Sequence, residues 1–438
     1  MKKIIFIFST ILLLSVVATA QETVYPAKEQ KGIFYIKNGT LHIGNGTVME
    51  NATIKINNGK IEEIGTQINI PSGDITVYDL KGKHIYPGLI LPASNLGLQE
   101  ISGIRSMSDF NEIGETNASI RAIAAYNADS KITNTLRSNG ILLAHIAPAG
   151  SLVGGQSSVV QLDAWNGEDA AYQADMGMQF YMPSLLARPG GRFAALFAAF
   201  FPQPTTDPVK AAIEKIEGVK QFFREAKAYI AGDQKEINLK FEATKGLFTK
   251  KQKLFIHCTQ VKQMLLAIDF VKEFGFDIVL VGAGDSWKIA DLIKQNNIAV
   301  IISQMHDLPT LDDDDIDQPY KTPAALQKAG VLYCINDDDP QNRGRNLAFN
   351  AGTAAAYGLS KEEALSAITL NTAKVLGIAD RTGSIEVGKD ANIIVSEGDV
   401  LDMHTSIIVH AFIQGRKIKL DDKHKQLFER YKEKYGLK

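Results

Sequence analysis

The chain has 438 residues, of which 45% are hydrophobic and 22% charged, a composition typical of a folded globular protein. The formal net charge is −2, which excludes a strongly basic face of the kind that binds nucleic acid. The length allows one large domain and a smaller one. The two cysteines, Cys258 and Cys334, end apolar runs and are interpreted as buried free thiols, so no disulfide framework is expected.

Residues 1–20 have the pattern of a secretory signal. Lys2 and Lys3 form a charged start, Ile4 to Val17 form an apolar run, and Ala18-Thr19-Ala20 is a small-x-small cleavage site. A membrane anchor is the alternative, but the run is shorter than the about 20 residues that span a bilayer. The pattern predicts export to the periplasm or outside, a mature chain starting near Gln21, and no membrane attachment after cleavage.

Residues 21–86 alternate apolar and polar positions over short runs. Asn-Gly pairs stand at Asn38-Gly39, Asn45-Gly46 and Asn58-Gly59. Because Asn-Gly readily adopts the positive φ angles of tight hairpins, these pairs predict turns between antiparallel strands. The segment is therefore interpreted as the first part of a small β-sandwich.

Residues 87–377 have a different texture, in which apolar runs alternate with amphipathic helical stretches. Continuous apolar strands between helices are typical of a parallel sheet that is covered on both faces. The pattern therefore predicts an α/β fold with a (β/α)8 TIM-type barrel. The runs read as strands are Gly140–Pro148, Lys253–Cys258, Asp277–Gly284, Ile298–Ser303 and Gly330–Asn336, and the helices between them include Val261–Phe274, Trp287–Asn296 and Lys361–Leu376.

Residues 378–420 return to short strands, and we expect them to pair with residues 21–86, so that a split sandwich built from both chain ends brackets the barrel. Residues 421–438 are expected to form a charged surface helix. The segment Ala187–Pro204 is rich in Phe and Ala between Gly and Pro residues, and it is interpreted as a lid or a subunit contact, with a buried turn as the alternative.

Three motifs carry a family resemblance. They are Pro87-Gly88-Leu89-Ile90, the stretch from Pro148 to Leu162, and Thr369-x-Asn371-x-Ala373-Lys374 followed by Gly383-Ser384-x-Glu386-x-Gly388-Lys389-Asp390-Ala391. In this order they resemble the amidohydrolase superfamily, and within it the imidazolonepropionase-like and dipeptidase-like branch. The resemblance covers nearly all of the mature chain. It implies hydrolysis of carbon–nitrogen bonds by metal-activated water, with Zn or Fe as cofactor and a small amide or peptide as substrate.

The first barrel strand departs from the family pattern. The resemblance implies Pro-Gly-Leu-Ile-Asp-x-His-x-His, where both histidines bind metal because residues two apart on a strand point the same way. Here the Asp position holds Leu91, and the histidine positions hold Ala93 and Asn95. Alanine binds nothing and an asparagine amide is a poor ligand for Zn or Fe. Asn95 is assigned instead to substrate binding.

The fifth and sixth strands keep one histidine between them. His257 is the metal-ligand candidate on the fifth strand, although the family position could instead align with Thr259. A core histidine held by a hydrogen bond is the competing interpretation of His257. On the sixth strand the resemblance implies a histidine where this chain has Gly282. Cys258 cannot form a dyad with His257, because neighbours on a strand point to opposite faces.

The eighth strand ends in Asn336-Asp337-Asp338. The resemblance implies that Asp337 is both metal ligand and general base, since a carboxylate at the C-terminal end of a barrel strand faces the active-site mouth. A solvated acidic turn is the alternative. Asn336 is assigned to substrate binding beside it.

Weaker candidates complete the set. Lys240 or Glu242 could supply a fourth-strand ligand, unless their segment is a helix that leads into strand five. The acidic segment Ser303–Pro319 lacks the alternating spacing of a calcium loop and is interpreted as solvated. Gly154-Gly155-Gln156-Ser157 lacks the lysine of a phosphate loop and is expected to shape the loop after strand two.

The surviving candidate ligands, His257 and Asp337, are fewer than the three of a typical catalytic zinc site. The sequence therefore predicts weak metal binding or none. Three functions stay open: an amidohydrolase with a depleted metal centre, a non-catalytic protein that binds a small amide or peptide, and a subunit that pairs with an active paralogue. Self-association into a homo-oligomer also stays open.

Overall fold

The computed structural model describes residues 25–101, 103–185, 207–233, 236–340 and 343–437. The predicted signal and the whole segment from Ala187 to Pro204 lie outside the described residues. In those ranges, no helix combines the length and the apolar character needed to cross a bilayer.

The strands lie in two sheets. Their bounds are β1 (Ile33–His42), β2 (Val48–Asn57), β3 (Lys60–Gly65), β4 (Thr76–Asp79), β5 (His84–Pro87), β6 (Leu89–Ser94), β7 (Ile141–Ile146), β8 (Val153–Gln161), β9 (Ala171–Tyr181), β10 (Lys253–Cys258), β11 (Ile278–Gly282), β12 (Ala299–Ile302), β13 (Tyr333–Ile335), β14 (Ile393–Ser396), β15 (Ile408–Ile413) and β16 (Arg416–Lys417).

The helices lie mainly between the strands of the second sheet. Their bounds are α1 (Ala122–Ala125), α2 (Lys131–Ser138), α3 (Gly167–Ala170), α4 (Pro208–Ala231), α5 (Leu239–Glu242), α6 (Lys245–Phe248), α7 (Val261–Phe274), α8 (Ala290–Gln295), α9 (Gln318–Ala329), α10 (Leu347–Ala356), α11 (Lys361–Ala367), α12 (Leu370–Leu376) and α13 (Lys423–Lys434), with 3₁₀ turns at Arg105–Met107 and Ser286–Ile289.

The first sheet joins the two ends of the chain. Its order is β16-β15-β14-β5-β1-β2-β3, with β4 alongside β1. The joint is the antiparallel pair β14–β5, in which Ile393 lies opposite Pro87 and Ser396 opposite His84. Strands from the two terminal segments therefore share one sheet; a division of that sheet into the two layers of a sandwich stays a prediction.

The Asn-Gly pairs have different roles in this sheet. Asn58 and Gly59 have φ angles of 46° and 79° and form the tight turn between β2 and β3, as predicted. Asn38-Gly39, by contrast, lies inside β1, where the pairing with β2 shifts register. The positive φ of Asn38, 60°, therefore serves a bulge and not a hairpin turn, so the turn predicted there is wrong.

The second sheet is a nearly closed barrel. Its order is β13-β12-β11-β10-β9-β8-β7-β6, and the pairs from β9 to β13 and the pair β6–β7 are parallel. β8, however, runs antiparallel to both β7 and β9. The prediction of eight parallel βα units is therefore wrong for the unit that contains β8.

The reversed strand follows from short connections. β7 and β8 are joined by residues 147–152, and β8 and β9 by residues 162–170, which hold only the short helix α3. A parallel pair needs a crossover of about a dozen residues or more, so these connections permit only antiparallel neighbours. The stretch from Gly154 to Ser157, expected as a loop after strand two, consequently lies within β8.

Alternation along the barrel strands separates an inner from an outer face. On β10, Phe255 packs with the inner cluster of Ile90, Leu143, Val279 and Ile301, whereas Leu254, Ile256 and Cys258 pack outward with the helices. His257, two residues after Phe255, consequently has its side chain on the inner face near the C-terminal end of β10. This end of the barrel carries the candidate site.

Candidate functional site

A cleft of about 290 Å³ lies at the C-terminal ends of the barrel strands. Five residues that the sequence predicted at this end line the cleft: Ala93, Asn95, His257, Asn336 and Asp337. They lie on β6 and β10, or in the segments that follow β6 and β13. The cleft is lined by Ala93, Ser94, Asn95, Gln99, Phe110, Ala147, Ala149, Tyr181, His257, Val281, Asn336, Asp337, Asp338, Asp339, Pro340 and Arg343.

The imidazole of His257 is held by a chain of hydrogen bonds. The Ser157 hydroxyl donates to the carbonyl of Gly177 over 3.3 Å, so its oxygen is free to accept from the Gln179 amide nitrogen at 2.8 Å. The Gln179 oxygen then lies 2.8 Å from His257 Nε2. Since an amide oxygen only accepts, His257 carries its proton on Nε2 and has a lone pair on Nδ1.

The ring of Tyr181 also fixes the position of His257. Tyr181 stacks on it with ring centroids 3.9 Å apart, and the Tyr181 hydroxyl donates to the Pro148 carbonyl over 3.0 Å. Burial, and then the neighbouring His145, lower the pKa of His257 to about 3. The imidazole is therefore neutral at physiological pH and acts as a hydrogen-bond acceptor through Nδ1.

His145 on β7 is a second buried imidazole in the barrel. It is 1% exposed, and its Nδ1 donates to the Pro92 carbonyl over 2.7 Å. Burial lowers its pKa to about 4 against the opposing effect of that hydrogen bond. Its Nε2 is buried and has no hydrogen-bond partner among the described residues.

Asp337 is buried, with 2% of its surface exposed, so the solvated-turn interpretation is wrong. The backbone N–H of Asn346 donates to its Oδ2 over 2.7 Å. Its Oδ1 is buried without a hydrogen bond to any residue that the structure describes. Burial and the nearby charges of Asp338 and Asp339 raise the pKa of Asp337 to about 6, against the opposing effect of the backbone N–H groups of Asn346 and Asp339.

The two asparagines occupy different parts of the cleft. Asn336 is buried and accepts the backbone N–H of Ala93 over 3.3 Å, which connects the segment after β13 to β6 at the two ends of the barrel sheet. Asn95 is exposed just after β6, and its amide donates to Gln99 over 3.1 Å. Both line the cleft, and their assigned role in substrate binding stays a prediction.

The residues of this cleft do not fit the metal that the family resemblance implies. Ala93 offers no donor side chain, Asn95 offers an amide, and His257 uses Nε2 for Gln179; Gly282, at the end of the neighbouring strand β11, offers no side chain either. Nowhere in the described ranges do three or more His, Cys, Asp or Glu side chains converge in a way that could hold a metal ion.

Two other candidates lie away from the cleft lining. Lys240 and Glu242 are in helix α5, so the fourth-strand interpretation is wrong; Glu242 accepts from Tyr229 and pairs with Lys245. In the acidic segment Ser303–Pro319, the carboxylate of Asp314 forms an ion pair with Lys288 at 2.9 Å.

Sequence analysis missed Gln179, Tyr181 and His145. The first two alternate along β9 with Gly177, and His145 lies two residues after Leu143 on β7. This period of two was the available signal for inner-face positions. It does not show which inner residues from different strands touch.

Comparison with known sequences shows that this chain is similar to amidohydrolases. The profile of the Amidohydrolase family matches residues 266–418. Imidazolonepropionase of Thermoplasma volcanium is 24% identical over 366 residues, which are 80% of this chain and 85% of that protein. Imidazolonepropionase of Picrophilus torridus is 30% identical over 179 residues, 39% of this chain and 43% of its own length.

Solved structures show the same likeness over more of the chain. The crystal structure of an amidohydrolase from Thermotoga maritima superposes with a TM-score of 0.75 at 25% identity, covering 88% of this chain and 99% of that one. A molinate hydrolase superposes with a TM-score of 0.53 at 18% identity and supports the fold alone.

Proposed function

We propose, from the premise that the chain belongs to the amidohydrolase superfamily, that its barrel-mouth cleft binds a small amide- or peptide-like molecule. The observation that carries this proposal is the convergence of His257 and Asp337 on one cleft at the C-terminal ends of the strands. Barrel enzymes place their ligands at this end. The cleft volume, about 290 Å³, suits a small ligand.

The side chains at the positions that would bind the metal favour a protein that binds its ligand without the metal-dependent hydrolysis of the family. Activation of water by a metal needs ligands that hold the ion, and a catalytic zinc usually has three from the protein. The positions that would supply them hold Ala93, Asn95 and Gly282. We propose that protein prepared without chelator carries well under one tightly bound transition metal per chain.

Hydrolysis by a carboxylate is the second candidate, and one observation favours it. The pKa of Asp337, raised to about 6 by burial, lies near the range in which a general base works at neutral pH. In this reading Asp337 takes a proton from the attacking water and returns it to the leaving nitrogen. Neutral His257 accepts a hydrogen bond through Nδ1 and orients the substrate amide.

The binding experiment uses the full chain after signal removal. Titration calorimetry with a panel of dipeptides and cyclic amides is expected to find at least one ligand. Ala149→Trp, which fills the cleft from its lining, should abolish that binding, whereas Ala125→Trp on the exposed part of α1 should not. Equal binding by both variants, or no binding of the panel by the unaltered chain, would contradict the proposal.

Turnover and metal content separate the two candidates. Little hydrolysis of the panel together with low metal content supports a binding protein. Hydrolysis that is lost in Asp337→Asn but insensitive to chelator supports the carboxylate reading. Stoichiometric zinc, lost together with activity in His257→Ala or Asp337→Asn, would overturn the account of the site and restore the metal-dependent reaction.

Export and partnership rest on the sequence alone. The signal pattern of residues 1–20, with its apolar run from Ile4 to Val17, supports secretion to the periplasm or outside, and N-terminal sequencing of the mature protein should start near Gln21. Pairing with an active paralogue, or self-association, is the alternative role for a barrel without hydrolysis. Size-exclusion chromatography with light scattering, with and without the paralogue, tests it.

A further inference from the structure

The hydrogen-bonding groups of the cleft are unequally used. Most of its side-chain donors are occupied: the Asn95 amide donates to Gln99, the Gln99 amide donates to Ser108, and Arg343 donates to the Glu100 carbonyl. The Asn336 amide nitrogen and the Ser94 hydroxyl proton are the exceptions, since no acceptor for either is found in the described ranges. A ligand therefore meets few donors on the cleft wall.

Acceptors, in contrast, are available. His257 has a lone pair on Nδ1, because its proton is held on Nε2 by Gln179. Asp337 is 2% exposed, lines the cleft, and its Oδ1 has no hydrogen-bond partner within the part of the chain that the structure describes. A buried carboxylate oxygen without a partner is costly, and a donor from a ligand removes that cost.

The charge of the cleft lining is mainly negative and therefore also favours a ligand with a positively charged donor group. Three carboxylates, Asp337, Asp338 and Asp339, stand against the single guanidinium of Arg343. Asp338 accepts from the Ser303 hydroxyl and the Gln304 N–H, both neutral donors, so these bonds leave its negative charge uncompensated.

Aromatic rings stand beside these acceptors. The rings of Tyr181 and His257 stack at 3.9 Å, and Phe110 also lines the cleft. A planar group with delocalised charge packs against such rings better than a strongly hydrated ammonium does. Planarity, positive charge and N–H donors together describe an amidinium or a guanidinium.

We infer that the ligand of this cleft carries a planar, protonated nitrogen group, an amidinium or guanidinium, that donates to Asp337 and packs beside His257. This inference rests on the proposed function, because it names the chemical class of the molecule that the same cleft binds. It adds a charge requirement that a neutral amide does not meet.

Three probes of one shape test the charge requirement. Benzamidinium, benzamide and benzoate are cation, neutral amide and anion on the same ring. With the mature chain at pH 7.5, calorimetry should show that benzamidinium binds about tenfold or more tightly than benzamide, and benzoate weakest. Benzoate binding as tightly as benzamidinium would overturn the inference.

Matched variants locate the effect. Asp337→Asn should weaken benzamidinium binding by about tenfold or more, and should weaken benzamide binding by much less. Asp312→Asn makes the same charge change at an exposed position outside the cleft and should change neither. Unchanged benzamidinium affinity in a folded Asp337→Asn protein would refute the role of this carboxylate.

The outcomes separate this inference from the proposed function. If benzamide binds, is blocked by Ala149→Trp, and benzamidinium shows no preference, the cleft is a binding site and the charge inference is wrong. If no probe binds the unaltered chain and the peptide panel also fails, both are wrong.

Discussion

Gln179 and His257 are joined by a hydrogen bond of 2.8 Å between the amide oxygen and Nε2. They lie on neighbouring parallel strands, β9 and β10, although 78 positions separate them in the chain. Because this bond uses Nε2 of the only histidine that lines the cleft among the described residues, it determines which atom is offered to a ligand.

The first prediction concerns this imidazole. Nitrogen-15 NMR of His257 should show the neutral tautomer protonated on Nε2, without titration down to pH 5, because burial and the nearby His145 lower its pKa to about 3. Gln179→Leu removes the acceptor and should lower the free energy of unfolding by about 1–3 kcal/mol. A proton on Nδ1, or titration near the ordinary value of 6.5, would contradict the arrangement.

The second prediction concerns the stability contributed by Asp337. Its pKa rises from 3.8 to about 6 in the folded state, so the folded state binds more protons than the unfolded state between these values. Stability from this group therefore increases as pH falls through 6 and is lost as pH rises through 6. Asp337→Asn should raise the free energy of unfolding by up to about 3 kcal/mol at pH 8, and by little near pH 4.

Urea unfolding of both proteins across that pH range measures the difference. Asp312→Asn is the control, since its carboxylate is exposed. A destabilised Asp337→Asn protein at pH 8 would show that the carboxylate is stabilised by a contact that outweighs its burial.

The third prediction restores the donors of the first strand. Ala93 and Asn95 stand two residues apart at the end of β6 and both line the cleft with His257 and Asp337. The double substitution Ala93→His with Asn95→His should raise zinc affinity by about tenfold or more over either single change, because four donors then face one space. Competition with a chromophoric chelator measures this. No increase would mean that the cleft is remodelled beyond its first strand.

The fourth prediction concerns the junction between the barrel and the small sheet. Tyr172 on β9 donates its hydroxyl proton to the buried Asp390 over 2.5 Å, and Lys60 from β3 pairs with the same carboxylate at 2.6 Å. Tyr172→Phe should lower the free energy of unfolding by about 1–3 kcal/mol. Tyr435→Phe removes an exposed hydroxyl and serves as the control. An equal effect of the two changes in thermal unfolding would show that this bond contributes little.

The sequence by itself determined features that depend on neighbouring residues. The strand predicted at Lys253–Cys258 and the helix predicted at Val261–Phe274 coincide with β10 and α7, because apolar runs and helical periodicity are local signals. The identity of the residues at positions 93, 95 and 282, none of which carries a side chain that readily binds Zn or Fe, is likewise read directly from the sequence.

The tertiary structure alone decided the direction of β8 and the environment of the cleft. Whether a strand pairs parallel or antiparallel depends on its connections and neighbours, which the apolar pattern of Val153–Gln161 does not encode. The protonation of His257 depends on a hydrogen bond to Gln179, 78 positions away, and that of Asp337 on burial in the assembled barrel. Desolvation and hydrogen bonding act between residues that are close in space, so the protonation states of this site are set only in the folded barrel.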